Sequence, residues 1–435
     1  MEWWLALIII FGGLFLLMAS GIPVAFGFAL VNIIGMFVFM GGQEAASSLI
    51  LSMSNALTSF SLIPVPLFVL MGEVLWHSGI GIRAIDVLEK WLGRMPGRLS
   101  VLSVVAGVVF AAVSGSNMAN TALLGSVLGQ EMERKGYKKV MVLGPIMGSG
   151  ALAMMIPPST LGVLCAAIGK ISVGKLLIAI ILPGILLAAL YAGYILIRCR
   201  VQPELAPSYH VDATPLRQKL ADSVKYLFPL AVIILLTVGL LFFGIATPSE
   251  SAAVGCLGSC ILGLAIGGTS WVKKSVMGTL RVTVMAFTII MSATVYSQLL
   301  AFSGASRGLV EFVTTLDVSP VVLIILMQIA LIVLGSPMEE LTLMMIALPL
   351  YMPIVTALGF DPVWFGVLIL LNVEIALLSP PFGMVLFVMK GVSTQDTTMG
   401  DVFRSAIPFC VLQAIAMAAV ITFPSIALWL PKMMG

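Results

Sequence analysis

Ile156-Pro157-Pro158-Ser159 and Ser379-Pro380-Pro381-Phe382-Gly383 decide the fold, because each puts two consecutive prolines inside a long apolar run. Proline has no backbone N–H, and its ring clashes with the preceding turn. A helix therefore breaks there and leaves carbonyls unpaired. A second interruption lies ahead of each. Ser114-Gly115-Ser116-Asn117 precedes the first pair by 157 − 114 = 43 positions, and Gly335-Ser336-Pro337-Met338 precedes the second by 380 − 336 = 44. The two copies are offset by 336 − 114 = 222 and 380 − 157 = 223 positions. Two uncommon features at matched spacing read as an internal repeat.

The surroundings of these breaks are apolar. Of 435 residues, 60% are hydrophobic and 9% charged, against roughly 25% charged in an ordinary soluble domain. A core of this size cannot hide so much apolar surface, so the remainder faces lipid. A cytosolic enzyme, a secreted disulfide scaffold and a nucleic-acid module are excluded, and a net charge of +3 from scattered basic residues points to no polyanion. The five cysteines (Cys165, Cys199, Cys256, Cys260, Cys410) lie mostly in apolar runs. Cys256 and Cys260 share a helix face without a histidine nearby, which reads as packing rather than a metal site. His77 and His210 stand alone, and no HExxH, GxSxG or P-loop pattern occurs. The chain is expected to open directly on a spanning segment rather than a cleavable signal.

A crossing needs about 20 apolar residues. Ten stretches qualify: Trp3–Ala19, Ile22–Met40, Leu49–Trp76, Lys139–Ile168, Leu176–Ile197, Leu227–Gly244, Ser251–Ile266, Val276–Phe302, Pro362–Lys390 and Val402–Trp429. Leu99–Gly129 and Pro320–Leu348 are interrupted at Ser114–Asn120 and Gly335–Glu340, so they read as re-entrant hairpins. Irregular backbone at that depth survives only against protein or water. With the N-terminus outside, the inside loops hold 18 basic residues and the outside 4, the bias expected of cytoplasmic loops. Both termini then lie outside.

The one long polar stretch, Arg198–Lys225, divides the chain. The expected units are a first repeat over 1–200, with a hairpin at about 97–133 and a broken helix at about 139–168, a cytoplasmic linker or arm over 201–225, and a second repeat over 226–435, with a hairpin at about 319–350 and a broken helix at about 362–390. Five crossings per half is odd, so the second half starts on the opposite side. The fold class is an all-α polytopic membrane protein with an inverted-topology repeat, about ten transmembrane helices, two re-entrant hairpins and two broken helices, a layout shared by many secondary transporters.

Unpaired carbonyls at bilayer depth cost several kcal/mol each unless something binds them. A dehydrated sodium ion satisfies them. Half-helix N-termini at the same place present N–H groups and positive dipole ends, which suit a carboxylate. A hairpin tip facing a broken helix can thus hold a cation and an anion together. Asn117, Asn120, Thr121 and Ser159 are the neutral candidates for substrate or tip contacts, and Glu339 and Glu340 the acidic ones, where a buried carboxylate is expensive. Glu73 lies near a helix end, and Glu374 with Asn372 reads as a contact between helices. Thr247, Pro248 and Glu250 read as a helix cap. The 27 methionines read as lipid-facing or core filler.

Several phrases in order carry a resemblance: Ser20-Gly21-Ile22-Pro23-Val24-Ala25-Phe26; Pro64-Val65-Pro66 through Gly72-Glu73; Ala111 through Ala122 around Ser114-Gly115-Ser116-Asn117; Glu131-Met132 with Gly136-Tyr137; Ile156-Pro157-Pro158-Ser159; Ala246 through Ala253; and Pro380-Pro381-Phe382-Gly383 with Leu386-Phe387. Over essentially its whole length the chain resembles the large membrane subunit (M subunit, DctM-like) of tripartite ATP-independent periplasmic (TRAP) transporters. The resemblance implies a bacterial inner-membrane, elevator-type, sodium-coupled importer of organic anions, carboxylates or sugar acids, with no cofactor beyond the coupling Na+ and no enzymatic activity. It also implies two partners, a periplasmic substrate-binding protein (P type) and a small four-helix membrane subunit (Q type). One sodium site, mainly of backbone oxygens, would fall on Ser114, Ser116, Ala153, Ile156 and Pro158. A second, by symmetry, would fall on Gly335, Ser336, Met338, Ser379, Pro381 and Gly383. Ala153 often has glycine in its place in relatives; a carbonyl ligand survives that change, with a stiffer backbone. The alternatives are a stand-alone sodium- or proton-coupled symporter or antiporter on a related scaffold, a passive channel, and an intramembrane enzyme. For the enzyme Glu339-Glu340 is the only crowded pair, and adjacent helical residues point about 100° apart.

Overall fold

The computed structural model describes residues 2–93, 95–114, 116–207, 215–336 and 338–434, with the side chains at 19, 43, 44 and 112–114 left aside. Gly115, His210 and Pro337, all named above, lie outside the described residues, as does Arg94, one of the basic residues counted inside. Every regular element among the described residues is helical. Seven helices there are long and apolar enough to cross a bilayer, and eight further apolar helices run 10–17 residues. Those shorter pieces include both halves of the first broken helix, Lys139–Met154 and Thr160–Gly169, and the first half of the second, Pro362–Leu378, as proline interruptions require.

The first interrupted stretch forms Arg98–Ser114 and Asn117–Leu124, the latter continuing through a π turn at Gly125–Gly129 into Gln130–Arg134. Asn120 reaches back to the Gly107 carbonyl, so the two arms fold onto one another. The second forms Pro320–Gly335 and Glu340–Ala357. The first broken helix runs Lys139–Ala151, a short 3-10 turn Leu152–Met154, then Thr160–Gly169. The second runs Pro362–Leu378, then Met384–Val392. Both Pro-Pro bonds, Pro157-Pro158 and Pro380-Pro381, are cis.

The helices pack in two groups. Each hairpin lies on its own broken helix, and each hairpin's second arm also meets the short half of the other broken helix: Asn117–Leu124 on Met384–Val392, and Glu340–Ala357 on Thr160–Gly169. Ile181–Val201 and Met399–Thr422 complete this inner body. Its centre is Pro362–Leu378, buried at every residue from Val363 onward. The second group joins Trp3–Ala19, Val24–Phe39, Gln43–Leu57, Pro64–His77, Phe228–Phe242, Pro248–Gly267 and Val272–Phe302 around its outside. Each half of the chain therefore contributes to both groups. At one end of the inner body Lys139 reaches the Asp396 carbonyl (2.7 Å) and the Asp396 and Asp401 carboxylates (3.1 and 3.6 Å), tying the first broken helix to the loop after the second.

Several boundaries differ from expectation. Leu49–Trp76 is not one helix: it breaks at Thr58–Ser59, because Pro64 and Pro66 sit in the first turn of the following helix, where proline is tolerated, and the chain must turn ahead of them. Within the linker or arm over 201–225, a helix starts at Leu216 and runs without interruption to Phe242. Val402–Trp429 is divided by Phe423-Pro424 into Met399–Thr422 and Ser425–Met433. Two amphipathic helices were missed, Ile80–Trp91 and Ala305–Thr315. Each starts after a left-handed glycine, Gly79 (φ 76°) and Gly304 (φ 74°), a conformation glycine adopts without steric cost. These glycines are 304 − 79 = 225 positions apart, close to the repeat offset. His77 does not stand alone either; its Nε2 is 3.2 Å from the Glu73 carboxylate one helical turn away. The Thr247 cap is found as read: Glu250 N–H donates to the Thr247 hydroxyl (3.3 Å) and Thr247 N–H to the Glu250 carboxylate (2.8 Å).

Phe409 anchors the inner body. It is fully buried, with its ring 5.1 Å from Tyr191 and 5.6 Å from Tyr194. It fills the space left by Gly144 and Gly148 on the first broken helix, where any side chain would strike the ring. Phe409→Ala is expected to destabilise the protein by about 3 kcal/mol, read as a lower melting temperature in detergent, and Gly148→Leu to lower it further.

Candidate functional site

The first hairpin tip meets the first break through small residues. Asn120, on the second arm, donates to the Gly107 carbonyl (3.5 Å) of the first arm and the Ser149 carbonyl (3.4 Å) of the broken helix, so one amide joins all three segments. A Cβ on Gly150 would run into the Thr121 hydroxyl, and one on Gly107 would press on Ser149. Glycine permits this close approach of polar groups at bilayer depth. The Ser149 hydroxyl donates to the Pro145 carbonyl and lies 3.4 Å from the Ser103 hydroxyl. The Leu152–Met154 turn, with Ala153 at its centre, packs on both arms of the hairpin.

Each tip and break brings opposite helix ends together. At the first pair, Arg98–Ser114 and the Lys139–Met154 segment end in carbonyls, while Asn117–Leu124 and Thr160–Gly169 begin with N–H groups. Two of those N-termini are capped by serines: Ser116 accepts from Ala119 N–H (3.5 Å), and Ser159 from Gly162 N–H (3.1 Å). Carbonyl ends carry partial negative charge and N–H ends partial positive charge. Asn117 and Thr121 are fully buried. Neither the Asn117 amide nor the Thr121 hydroxyl finds a partner among the described residues.

The second pair is joined directly. Ser336 Oγ donates to the Ser379 carbonyl at 3.3 Å, and Gly383 N–H donates to the same carbonyl at 3.0 Å. Met338 N–H closes the tip onto the Gly335 carbonyl (2.9 Å). A Cβ on Gly383 would strike the Leu377 carbonyl, so the chain can fold back at this point only without one. The helix that starts at Met384 has no side-chain cap, which leaves its first N–H groups to other acceptors. The breaks differ in access: Pro157 and Pro158 are buried, whereas Pro381 and Phe382 are exposed.

The acidic candidates separate. Glu340 is buried with Oε2 unpartnered among the described residues, and Glu339 precedes it as the uncapped N-cap of Glu340–Ala357. Glu374 is fully buried, with both oxygens unpartnered among the described residues. Asn372 does make the expected contact between helices: its amide donates to the Gln328 carbonyl and side-chain oxygen, each at 2.8 Å. Gln328, Ser149, Tyr191 and Gln413 are buried polar residues that sequence reading did not single out. Single polar residues inside apolar runs were the available signal.

Comparison with known proteins follows the same outline. Residues 11–426 match the family described as "Tripartite ATP-independent periplasmic transporter, DctM component". The chain is 30% identical over 401 residues to the C4-dicarboxylate TRAP transporter large permease protein DctM of Pseudomonas aeruginosa, covering 92% of each. It is 29% identical to the sialic acid TRAP transporter large permease protein SiaM of Vibrio cholerae, covering 98% of each. It is also 29% identical to the ectoine TRAP transporter large permease protein TeaC of Halomonas elongata, covering 95% of this chain and 96% of that one. The YdaH transporter of Alcanivorax borkumensis, solved by crystallography and described as having an unusual topology, superposes with a TM-score of 0.61 at 14% identity. The match covers 92% of this chain and 96% of that one, a likeness of fold.

The Gly150–Thr121 contact is testable by a double-mutant cycle. Gly150→Ala is expected to destabilise by about 1–3 kcal/mol, read as thermal melting of the purified protein. Adding Thr121→Ala should recover part of that loss, and additive losses would mean the two residues do not press on one another.

Proposed function

Because this chain belongs to the DctM family, the large permease component of tripartite ATP-independent periplasmic transporters, we propose that it imports a small organic anion by sodium-coupled secondary transport. The observation that carries the reading is the pair of tip-and-break junctions, above all the Ser336 hydroxyl on the Ser379 carbonyl. Carbonyls released by the breaks supply hard oxygen donors for a monovalent cation, and the adjacent helix N-termini supply N–H donors for a carboxylate. Sodium site 1 would use Ser114, Ser116, Ala153, Ile156 and Pro158, and site 2 Gly335, Ser336, Met338, Ser379, Pro381 and Gly383. Asn117, Asn120, Thr121 and Ser159 would line the substrate between them, with Glu339 and Glu340 at the second tip.

In this reading the halves are inverted repeats, and the inner body moves as a unit against the surrounding helices. The reciprocal packing of each hairpin arm on the other repeat's short half-helix supports a single moving unit. The termini would lie on the periplasmic side of the inner membrane. A periplasmic binding protein would deliver the anion, and a small four-helix subunit would brace the outer helices. The relatives' names point to C4-dicarboxylates, sialic acid and ectoine as the range of cargo.

Uptake into proteoliposomes holding the chain with its partner proteins should require a sodium gradient; equal uptake in potassium would reject the coupling. Ser336→Ala removes one hydrogen bond of about 1 kcal/mol, so the sodium concentration for half-maximal uptake is expected to change about fivefold. An unchanged value would separate the tip from the ion site.

A further inference from the structure

Lys170 stands between two cavities at the junction of the inner body and the outer helices. One, of about 460 Å³, is lined by Ser52, Asn55, Ser59, Ser61, Thr294 and Gln298 together with Lys170. The other, of about 630 Å³, has a more apolar wall that includes Leu348, Met352 and Pro353, again with Lys170. Both fall in the size range of small-molecule sites. No Asp or Glu lines either cavity among the described residues, and no carboxylate among them pairs with Lys170. No side-chain carboxylate among the described residues neutralises this exposed lysine, which caps the carbonyl end of Thr160–Gly169.

The polar cavity offers hydrogen bonds as well as charge. Gln298 donates to the Ser52 hydroxyl at 2.8 Å, which fixes its orientation, and its Oε1 is buried without a partner among the described residues. The Ser52 hydroxyl already donates to the Ser48 carbonyl (2.8 Å); the Ser59 and Ser61 hydroxyls and the Asn55 amide can donate to carboxylate oxygens or accept from substrate hydroxyls. The lysine itself is unusual in its backbone. It caps Thr160–Gly169 in the left-handed region (φ 54°), the only non-glycine with positive φ among the described residues. Glycine suits that position better. A lysine held there lines both cavities.

We propose that this junction is an anion-capture site, in which a small carboxylate pairs with Lys170 before it reaches the hairpin tips. The proposal rests on the import reading above and deepens it. Thr160–Gly169 has 10 residues, so Lys170 and the first break lie about 15 Å apart at 1.5 Å per residue. The captured anion is passed from the carbonyl end of this helix, where Lys170 alone supplies positive charge, to its N-terminus, where the dipole favours negative charge. The hydroxyl-lined wall accepts the polar part of the cargo and the proline-rich wall its carbon skeleton.

The test uses the full chain with its partners in membrane vesicles of both orientations. Ser59→Cys places a thiol in the polar cavity at a position whose side chain makes no cap hydrogen bond. Its labelling by a sulfonate-bearing methanethiosulfonate is read at that peptide by mass spectrometry, which leaves the five native cysteines in place. Succinate is the probe anion, against chloride at equal ionic strength. Succinate is expected to protect the thiol saturably, with half-protection in the millimolar range or below. Lys170→Gln should abolish protection and slow labelling several-fold, and Lys170→Arg should restore both. Equal protection with and without Lys170→Gln, or none with Lys170 present, overturns the site. Protection seen only in inside-out vesicles leaves the site standing and overturns the import orientation instead. Lys170→Gly, which relaxes the backbone, should fold at least as well as wild type while losing protection.

Discussion

Backbone polar groups at bilayer depth must find partners inside the protein, and the rest of this structure follows from that constraint. An unbroken helix meets it alone. This chain breaks four apolar segments near the middle, at two hairpin tips and two Pro-Pro pairs, and so strands carbonyl and N–H groups where water cannot serve them. The consequence is pairing: each tip is packed on a break. Ser336 and Gly383 both use the Ser379 carbonyl at the second junction, and Asn120 spans the Gly107 and Ser149 carbonyls at the first. Groups without partners among the described residues, such as the Asn117 amide and the Thr121 hydroxyl, are the ones a ligand can meet.

The two junctions are related by sequence but differ in environment. The prolines of the first break are buried, and those of the second are partly exposed beside an exposed Phe382. The first hairpin is pressed onto its broken helix by glycines at 107 and 150, with glycines at 144 and 148 receiving Phe409 on another side of the same helix. Such small-residue contacts leave little freedom for one element to move alone.

The sequence revealed the parts of the fold that rest on local chemistry. Pro-Pro pairs cannot sit quietly in a helix, so both breaks were legible, as was the Thr247–Glu250 cap, whose two hydrogen bonds span three residues. Asn372 was legible as a contact but not its partner, because Gln328 lies 44 positions away on another helix. Ile80–Trp91 and Ala305–Thr315 escaped because their charges read as loop, although Gly79 and Gly304 start both at a separation close to the repeat offset. The division at Thr58–Ser59 escaped because Pro64 and Pro66 look like helix interior until the helix is seen to begin there. At the site, the tips and breaks were visible residue by residue. The cavities beside Lys170 were not, since they are made by helices far apart in sequence.

The central claim is that stranded carbonyls at the two junctions hold a monovalent cation. Backbone hydrogen exchange of the purified protein, compared in sodium and potassium, addresses it without any need to know the cargo. The account expects sodium to slow exchange selectively in peptides covering the two tips and the two Pro-Pro breaks, and to leave the helices of the outer group unchanged. Identical exchange in both salts at all four segments would contradict it.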